Sequence, residues 1–366
     1  MRESYDIDLL VIGQGFAGSA VAMAAVDAGL SVHVVEKDTQ SGRTASRIAA
    51  GLITPLTGKK INPGWRLEEL LPLARKFYHS AEALLGKAIF YECAIHRWFV
   101  DECEAEAFAA RRNDPRIARW VGADLPADPR VRAPFGGFAM VGGARLDPNS
   151  WLEGVSSWLG QRSAISHTTV PESAIICRHD GIEWAGYSAR WAILCQGLAA
   201  VDGGYFPGLP FRPASGEVLE ITVDGGAPAE VWNSGGKWIA PTPDGVCLCG
   251  ATYGFGEWLP RVRAEGVAEL THHLDSLLRV PYQVRAIRSG VRPILHQSRP
   301  VAGFHAQYPR LGFLNGLGSK GVLTAPWAAR QLIAACLDGA PLDRELQALF
   351  SGPKSLNQLN QKSQPR

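Results

Sequence analysis

Ile7-Asp8-Leu9-Leu10-Val11-Ile12-Gly13-Gln14-Gly15-Phe16-Ala17-Gly18 decides how this chain is read. The apolar run from Ile7 to Ile12 has the length of a buried strand. A GxGxxG turn follows at once, and an Ala-rich stretch leads to Gly29. Ser31 to Val35 reads as a second strand, ending at Glu36, 18 residues after the last glycine. The bare glycine pattern is a weak signal, but the strand–turn–helix–strand context with a terminal acid makes it a dinucleotide-binding fingerprint. Gly13 permits the tight turn, Gly15 lets backbone approach a pyrophosphate, and Gly18 lets helix and sheet pack closely. The helix start offers free N–H groups and a positive dipole end to phosphate. Glu36 suits a ribose diol, and Phe16, Ala17 and Lys37 border these positions as further binding candidates.

The 366 residues can hold two domains with sizeable cores. Hydrophobic content of 46% and charged content of 20% fit a soluble globular protein. A formal net charge of +2 supports no strong electrostatic claim on nucleic acid or membrane. No apolar run approaches the roughly 18–20 residues that span a bilayer. The start runs straight into the first strand, which predicts no cleaved leader. The seven cysteines form no CxxC pair, so they read as free thiols in a reducing cytoplasm and not as a metal site.

Helical periodicity runs over residues 66 to 85, and residues 101 to 119 suggest a surface helix. Strand signals cover Ser163 to Cys177, Gly181 to Tyr187 and Ala189 to Cys195, the last running into Gln196-Gly197. Glu217 to Val223 alternates as a strand. Lys237 to Pro241 and Val246 to Ala251 read as a hairpin around Pro243-Asp244-Gly245. A helix is predicted at about 262 to 278. Leu311 to Leu337 reads as strand, Gly-rich turn and helix. The order predicts an α/β fold: a discontinuous Rossmann-like nucleotide domain (1–85, 146–210 and 288–350) with an inserted β-rich, α+β substrate domain (86–145 and 211–287). The tail, 351–366, is expected to be loose.

Five ordered stretches carry a resemblance: Gly13–Glu36, Ala45–Pro55, Ala192–Gly197, Trp238–Thr252 and Ser289–Pro326. Together they make the chain resemble the D-amino-acid oxidase-like family of FAD enzymes. Within that family it is most similar to the glycine oxidases and the FAD domains of the bifunctional tRNA 5-methylaminomethyl-2-thiouridine biosynthesis proteins. Residues 60 to 145 carry no motif of the resemblance.

The resemblance implies an extended, non-covalent FAD. Its ADP half would lie on Gly13, Gly15, Gly18 and Glu36. Ser46, Arg47, Ala50, Gly51 and Leu52 match the stretch beside the pyrophosphate and flavin ring. Val170 matches a strand residue at the adenine, and Gly197 a glycine in the ribose–phosphate region. Gly318, Ser319, Lys320 and Gly321 match the turn whose backbone N–H groups meet the flavin O2.

Arg292 matches the arginine that grips the substrate carboxylate, a task its guanidinium fork suits. Arg299 is a second candidate, better suited to structure. Trp238 and Tyr253 match substrate-pocket positions. Glycine oxidase-like members usually carry a histidine and an arginine in the turn before the last helix, where this chain has Leu317 and Ser319. That departure favours the tRNA-modification branch and argues against free glycine.

The implied chemistry is oxidation of the C–N bond of a small amine or amino acid, with oxygen or another acceptor taking the electrons. Three alternatives stand beside it. A stand-alone tRNA wobble-uridine enzyme would oxidise a carboxymethylaminomethyl group, but the chain lacks a basic run, and Arg111, Arg112, Arg116, Arg119, Arg130 and Arg132 are interleaved with acids. A flavin-binding protein without catalysis is a further reading. An NAD-dependent dehydrogenase would explain Gly13 to Glu36 and leave the other stretches unexplained.

Overall fold

The strand Ile7–Ile12 lies between two parallel neighbours, Val32–Glu36 and Tyr187–Leu194. Leu9, Leu10 and Val11 are buried, as strands covered on both faces require. The computed structural model describes residues 5–37, 44–295 and 299–347. Ile165–His167 extends this sheet beyond Val32–Glu36, and Leu311–Asn315 pairs in parallel with the second half of Tyr187–Leu194. Ile182–Trp184, Ile176–Cys177 and Val301–Phe304 complete eight strands by antiparallel pairing.

Parallel pairing aligns the carboxyl ends of four strands. Ile12 is level with Val35 and Leu194, and Leu194 with Phe313. The residues that follow are Gly13, Glu36, Cys195 and, past Leu314, Asn315. Ligands of open parallel sheets bind at this edge. The helix Phe16–Asp27 packs on the closing helix Gly321–Asp338. Its first ten residues are almost wholly buried and mostly small, which lets the two backbones approach.

A nine-stranded sheet holds the other half of the molecule. Its order is Gly254–Phe255, Ala214–Val223, Cys247–Gly250, Lys237–Pro241, Val231–Ser234, Ile95–Trp98, Gly137–Met140 and Val121–Asp124, with Tyr282–Arg292 on the second edge of Ala214–Val223. The helix Ala264–Leu277 covers one face through Leu270, Leu274 and Leu277. A three-stranded sheet, Leu52–Ile53, Ala144–Leu146 and Phe90–Glu92, lies apart from both. Tyr282–Arg292 runs unbroken through position 288 and carries Arg292 at its end.

Two local expectations meet a different structure. The helix read over 101 to 119 is two, Glu102–Ala109 and Pro115–Ala118. Pro115 cannot continue a preceding helix, and Asp114 caps the second one by accepting the Arg116 N–H. The strand read over Ser163 to Cys177 is two short strands around a 3-10 turn, because Pro171 interrupts the ladder. The tail 351–366 lies outside the described residues.

Candidate active site

A cavity of about 1020 Å³ opens where the parallel strands end and runs to the face of the nine-stranded sheet. Gly13, Gly15, Phe16, Ala17, Glu36 and Lys37 line its first end. Gly13 has φ +99°, and a Cβ there would stand 2.5 Å from the Cys195 carbonyl oxygen. Glu36 accepts the Gln14 backbone N–H at the turn. Gly18 lies under the turn and not on the cavity wall: a Cβ there would come within 1.7 Å of the Gly13 oxygen, so its task is close helix packing. Val170 lines the wall beyond Glu36.

Ser46 sits at the start of the helix Phe16–Asp27, where its hydroxyl accepts the Phe16 N–H at 3.1 Å. Ala50, Gly51 and Leu52 continue the wall. Gly51 has φ +72°, and a Cβ would collide with the Leu146 carbonyl. Arg47 points elsewhere, 3.5 Å from Glu153, and does not line the cavity.

Gly197 (φ +56°) and the turn Gly318, Ser319, Lys320, Gly321 close the central part. The turn opens the helix Gly321–Asp338, so its first N–H groups face the cavity with the dipole's positive end. Burial pulls the Lys320 ammonium pKa below its ordinary value.

Arg292, Tyr253 and Trp238 line the far end. The Arg292 guanidinium stands 4.2 Å from the Tyr253 ring centroid. Its Nη1 donates to the carbonyls of Thr252 at 3.1 Å and Ser215 at 3.4 Å. Burial pushes its pKa down, opposed by Tyr253 and Glu217, yet a guanidinium stays charged. Among the described residues no carboxylate forms an ion pair with it.

The nearby carboxylate is already engaged. Glu217, fully buried, accepts from Arg263 Nε at 3.0 Å and Nη2 at 2.8 Å, and from the Thr252 hydroxyl. Burial alone would raise its pKa, but hydrogen bonds from Arg263 and Thr252 outweigh this and hold it below the ordinary value. Arg263 thereby keeps Glu217 from neutralising Arg292. Arg299 instead pairs with Glu345 and covers the Trp65 ring, away from the cavity.

Among the lining residues that escaped the sequence reading, three have a clear place in the site. Asn315 ends its strand and donates to the Gly197 oxygen at 2.8 Å. Gly216 makes room for Arg292. Asn233 lies in Val231–Ser234, where an amide inside a buried strand was the available signal.

These features fit the extended FAD that the resemblance implies. A glycine cradle and a ribose-matching acid stand at one end, a helix start in the middle, and a free cation at the other. The volume is at the upper edge of small-molecule sites, as a dinucleotide with a substrate requires. Among the described residues no cluster of His, Cys, Asp and Glu could hold a metal ion, and no helix is long and apolar enough to cross a membrane.

The tRNA 5-methylaminomethyl-2-thiouridine biosynthesis bifunctional protein MnmC of Maricaulis maris is 27% identical over 343 residues, 92% of this chain and 53% of the relative. The protein of the same name from Caulobacter vibrioides is 28% identical over 366 residues, 93% and 56% of the two chains. This chain therefore spans about half the length of those relatives. The fold matches glycine oxidase from Geobacillus kaustophilus with TM-score 0.75 at 21% identity, covering 93% of this chain and 99% of that one. It matches iminodiacetate oxidase from Chelativorans sp. BNC1 with TM-score 0.72 at 20% identity, covering 94% and 97%. Residues 8–335 match the DAO family, FAD dependent oxidoreductase. On that match, and with a cavity shaped for the cofactor, the chain belongs to the DAO family of FAD-dependent oxidoreductases.

Proposed function

We propose that this enzyme oxidises the C–N bond of a small amine or amino acid that carries a carboxylate. The observation that carries the reading is Arg292, a half-buried guanidinium on the cavity wall with no carboxylate partner among the described residues. A carboxylate seated on its free N–H groups would be held by a charge-assisted fork. Its position fixes where the amine-bearing carbon stands, and positioning is the main service such a reaction asks of the protein. Bound FAD supplies the hydride acceptor.

The substrate gives up hydride from the carbon beside its neutral amine and becomes an imine, which water hydrolyses. No histidine lines the cavity among the described residues, and this scheme asks for no strong base. The helix start at Gly321 and the Lys320 ammonium favour negative charge at the central part of the site. Glycine, sarcosine, D-amino acids and carboxymethylaminomethyl uridine, each incubated with FAD-loaded protein, provide the test. Carbonyl product from glycine, sarcosine or a D-amino acid, with oxygen or an added dye as acceptor, supports the reading, and product from the uridine alone favours the second reading below. Product from none of them contradicts it.

The bifunctional tRNA relatives favour a second reading, in which the amine belongs to a modified wobble uridine. The arginines that would best greet a tRNA are largely neutralised on their own face: Arg112 by Asp124, Arg116 by Asp114, Arg119 by Glu68 and Arg130 by Asp128. Product only from tRNA, lost at moderate salt, would favour this second reading.

A further inference from the structure

Four side chains in the nine-stranded sheet form one line across the cavity wall. Val218 is level with Gly250, Gly250 with Trp238, Trp238 with Asn233, and Asn233 with Arg97. Residues level with one another in a sheet point to the same face. Val218, Trp238, Asn233 and Arg97 all line the same cavity as Arg292. Gly250 leaves the space beneath the Trp238 ring, which a Cβ would approach to 2.8 Å.

Asn233 stands out in this line. It is 8% exposed, and among the described residues its carboxamide makes no hydrogen bond. The amide is therefore open to the cavity with its hydrogen-bonding groups unused by the protein, where a ligand can supply the partner. Its neighbour Arg97 offers no free charge: it is 3% exposed, ion-paired with Glu104, and donates to the Gly58 carbonyl at 3.0 Å. The open polar group at this end is therefore neutral, with one donor side and one acceptor side.

We propose that Asn233 determines specificity by reading a neutral amide-type group, a carbonyl beside an N–H, at the far end of the substrate. This inference rests on the amine reading above. Arg292 Nη1 lies over Gly216, two residues along the strand from Val218, and Asn233 is three strands from Val218. At the usual strand spacing and rise the two polar sites are roughly 14–16 Å apart. The substrate thus has a carboxylate at Arg292, the amine between, a planar spacer along Trp238, and a neutral amide tip at Asn233.

Three N-benzylglycines that differ only at the para position test this: carbamoyl, isopropyl of the same shape, and carboxylate. The wild-type holoenzyme should oxidise the carbamoyl compound with kcat/KM about tenfold or more above either other. In Asn233→Leu the carbamoyl-to-isopropyl ratio should invert while FAD content and the visible spectrum stay as in wild type. Asn233→Ser, which adds no apolar bulk, should bring that ratio near one and serves if the leucine variant does not fold. Equal turnover of the three by wild type, an unchanged ratio in the variants, or turnover of sarcosine but of none of the three would overturn the assignment. Loss of FAD from Asn233→Leu would overturn it too and make Asn233 a cofactor contact. Failure with every amine, sarcosine included, would remove the amine reading itself and this inference with it.

Discussion

Arg292 Nη1 lies directly over Gly216: a Cβ at position 216 would stand 2.5 Å from it and 2.6 Å from the Thr252 oxygen that the same group bonds. The glycine is thus part of how the arginine is aimed. Gly216→Ala should push the guanidinium off its carbonyl anchors. KM for a carboxylate-bearing amine should rise about tenfold or more, because small misplacements at a reacting centre are costly. FAD content should not change. Steady-state kinetics beside a visible spectrum would check this.

Gly18 has the tightest contact of the nucleotide turn, with the Gly13 oxygen 1.7 Å from where a Cβ would be. Gly18→Ala must therefore separate the helix Phe16–Asp27 from the strand before it. The variant is expected to purify without FAD, or to fail to fold. The ratio of flavin to protein absorbance measures the outcome.

Arg263 does not line the cavity, yet it should govern substrate affinity. Arg263→Met frees the buried Glu217 carboxylate, which lies close enough to influence Arg292 electrostatically. KM should rise, and stability should fall by about 3 kcal/mol, as for other broken buried pairs. Glu217 has a depressed pKa in the folded wild type, so its contribution is present above the unfolded carboxyl value and is lost as pH falls through the folded one. Urea unfolding of both proteins at pH 7 and pH 4 should show wild type losing more stability than the variant.

His273 gives a second acid-sensitive group, remote from the chemistry. Its Nε2 is buried with no hydrogen-bond partner among the described residues, and burial, aided by Lys237 and His272, pushes its pKa down to about 4. Between about 6.5 and 4 the unfolded chain holds a proton that the folded chain refuses. Stability is therefore lost as pH falls through that window, by no more than roughly 3 kcal/mol. His273→Leu should flatten that part of the profile, as followed by urea midpoints.

The first end of the candidate cavity was legible because its geometry is local. Gly13, Gly15, Gly18 and Glu36 serve through turn geometry and spacing along one strand–helix–strand unit, and Gly318 to Gly321 likewise sit at one helix start. The substrate half depends on pairing between distant strands. Asn233 meets Trp238 and Arg97 only through the register of three strands, and Gly216 meets Arg292 only through the pairing of Ala214–Val223 with Tyr282–Arg292. Nothing in a linear sequence states such a register. Arg47 shows the converse: its place in a matched stretch said nothing of its direction, and it pairs with Glu153 at the surface. The helix read over 101 to 119 failed at Pro115, where the proline itself was the available warning.

In the proposed reaction Arg292 holds a substrate carboxylate while the adjacent C–N bond is oxidised. An anaerobic visible titration of FAD-loaded wild type and Arg292→Leu tests it most directly, using sarcosine and N-benzylglycine against dimethylamine and N-methylbenzylamine, the same amines without the carboxylate. At least one carboxylate-bearing amine should bleach the wild-type flavin. The rate should be about 100-fold or more lower both for the partner lacking the carboxylate and for the variant. Equal bleaching by the amines with and without a carboxylate, or by wild type and variant, would contradict it, as would a flavin that none of the four bleaches.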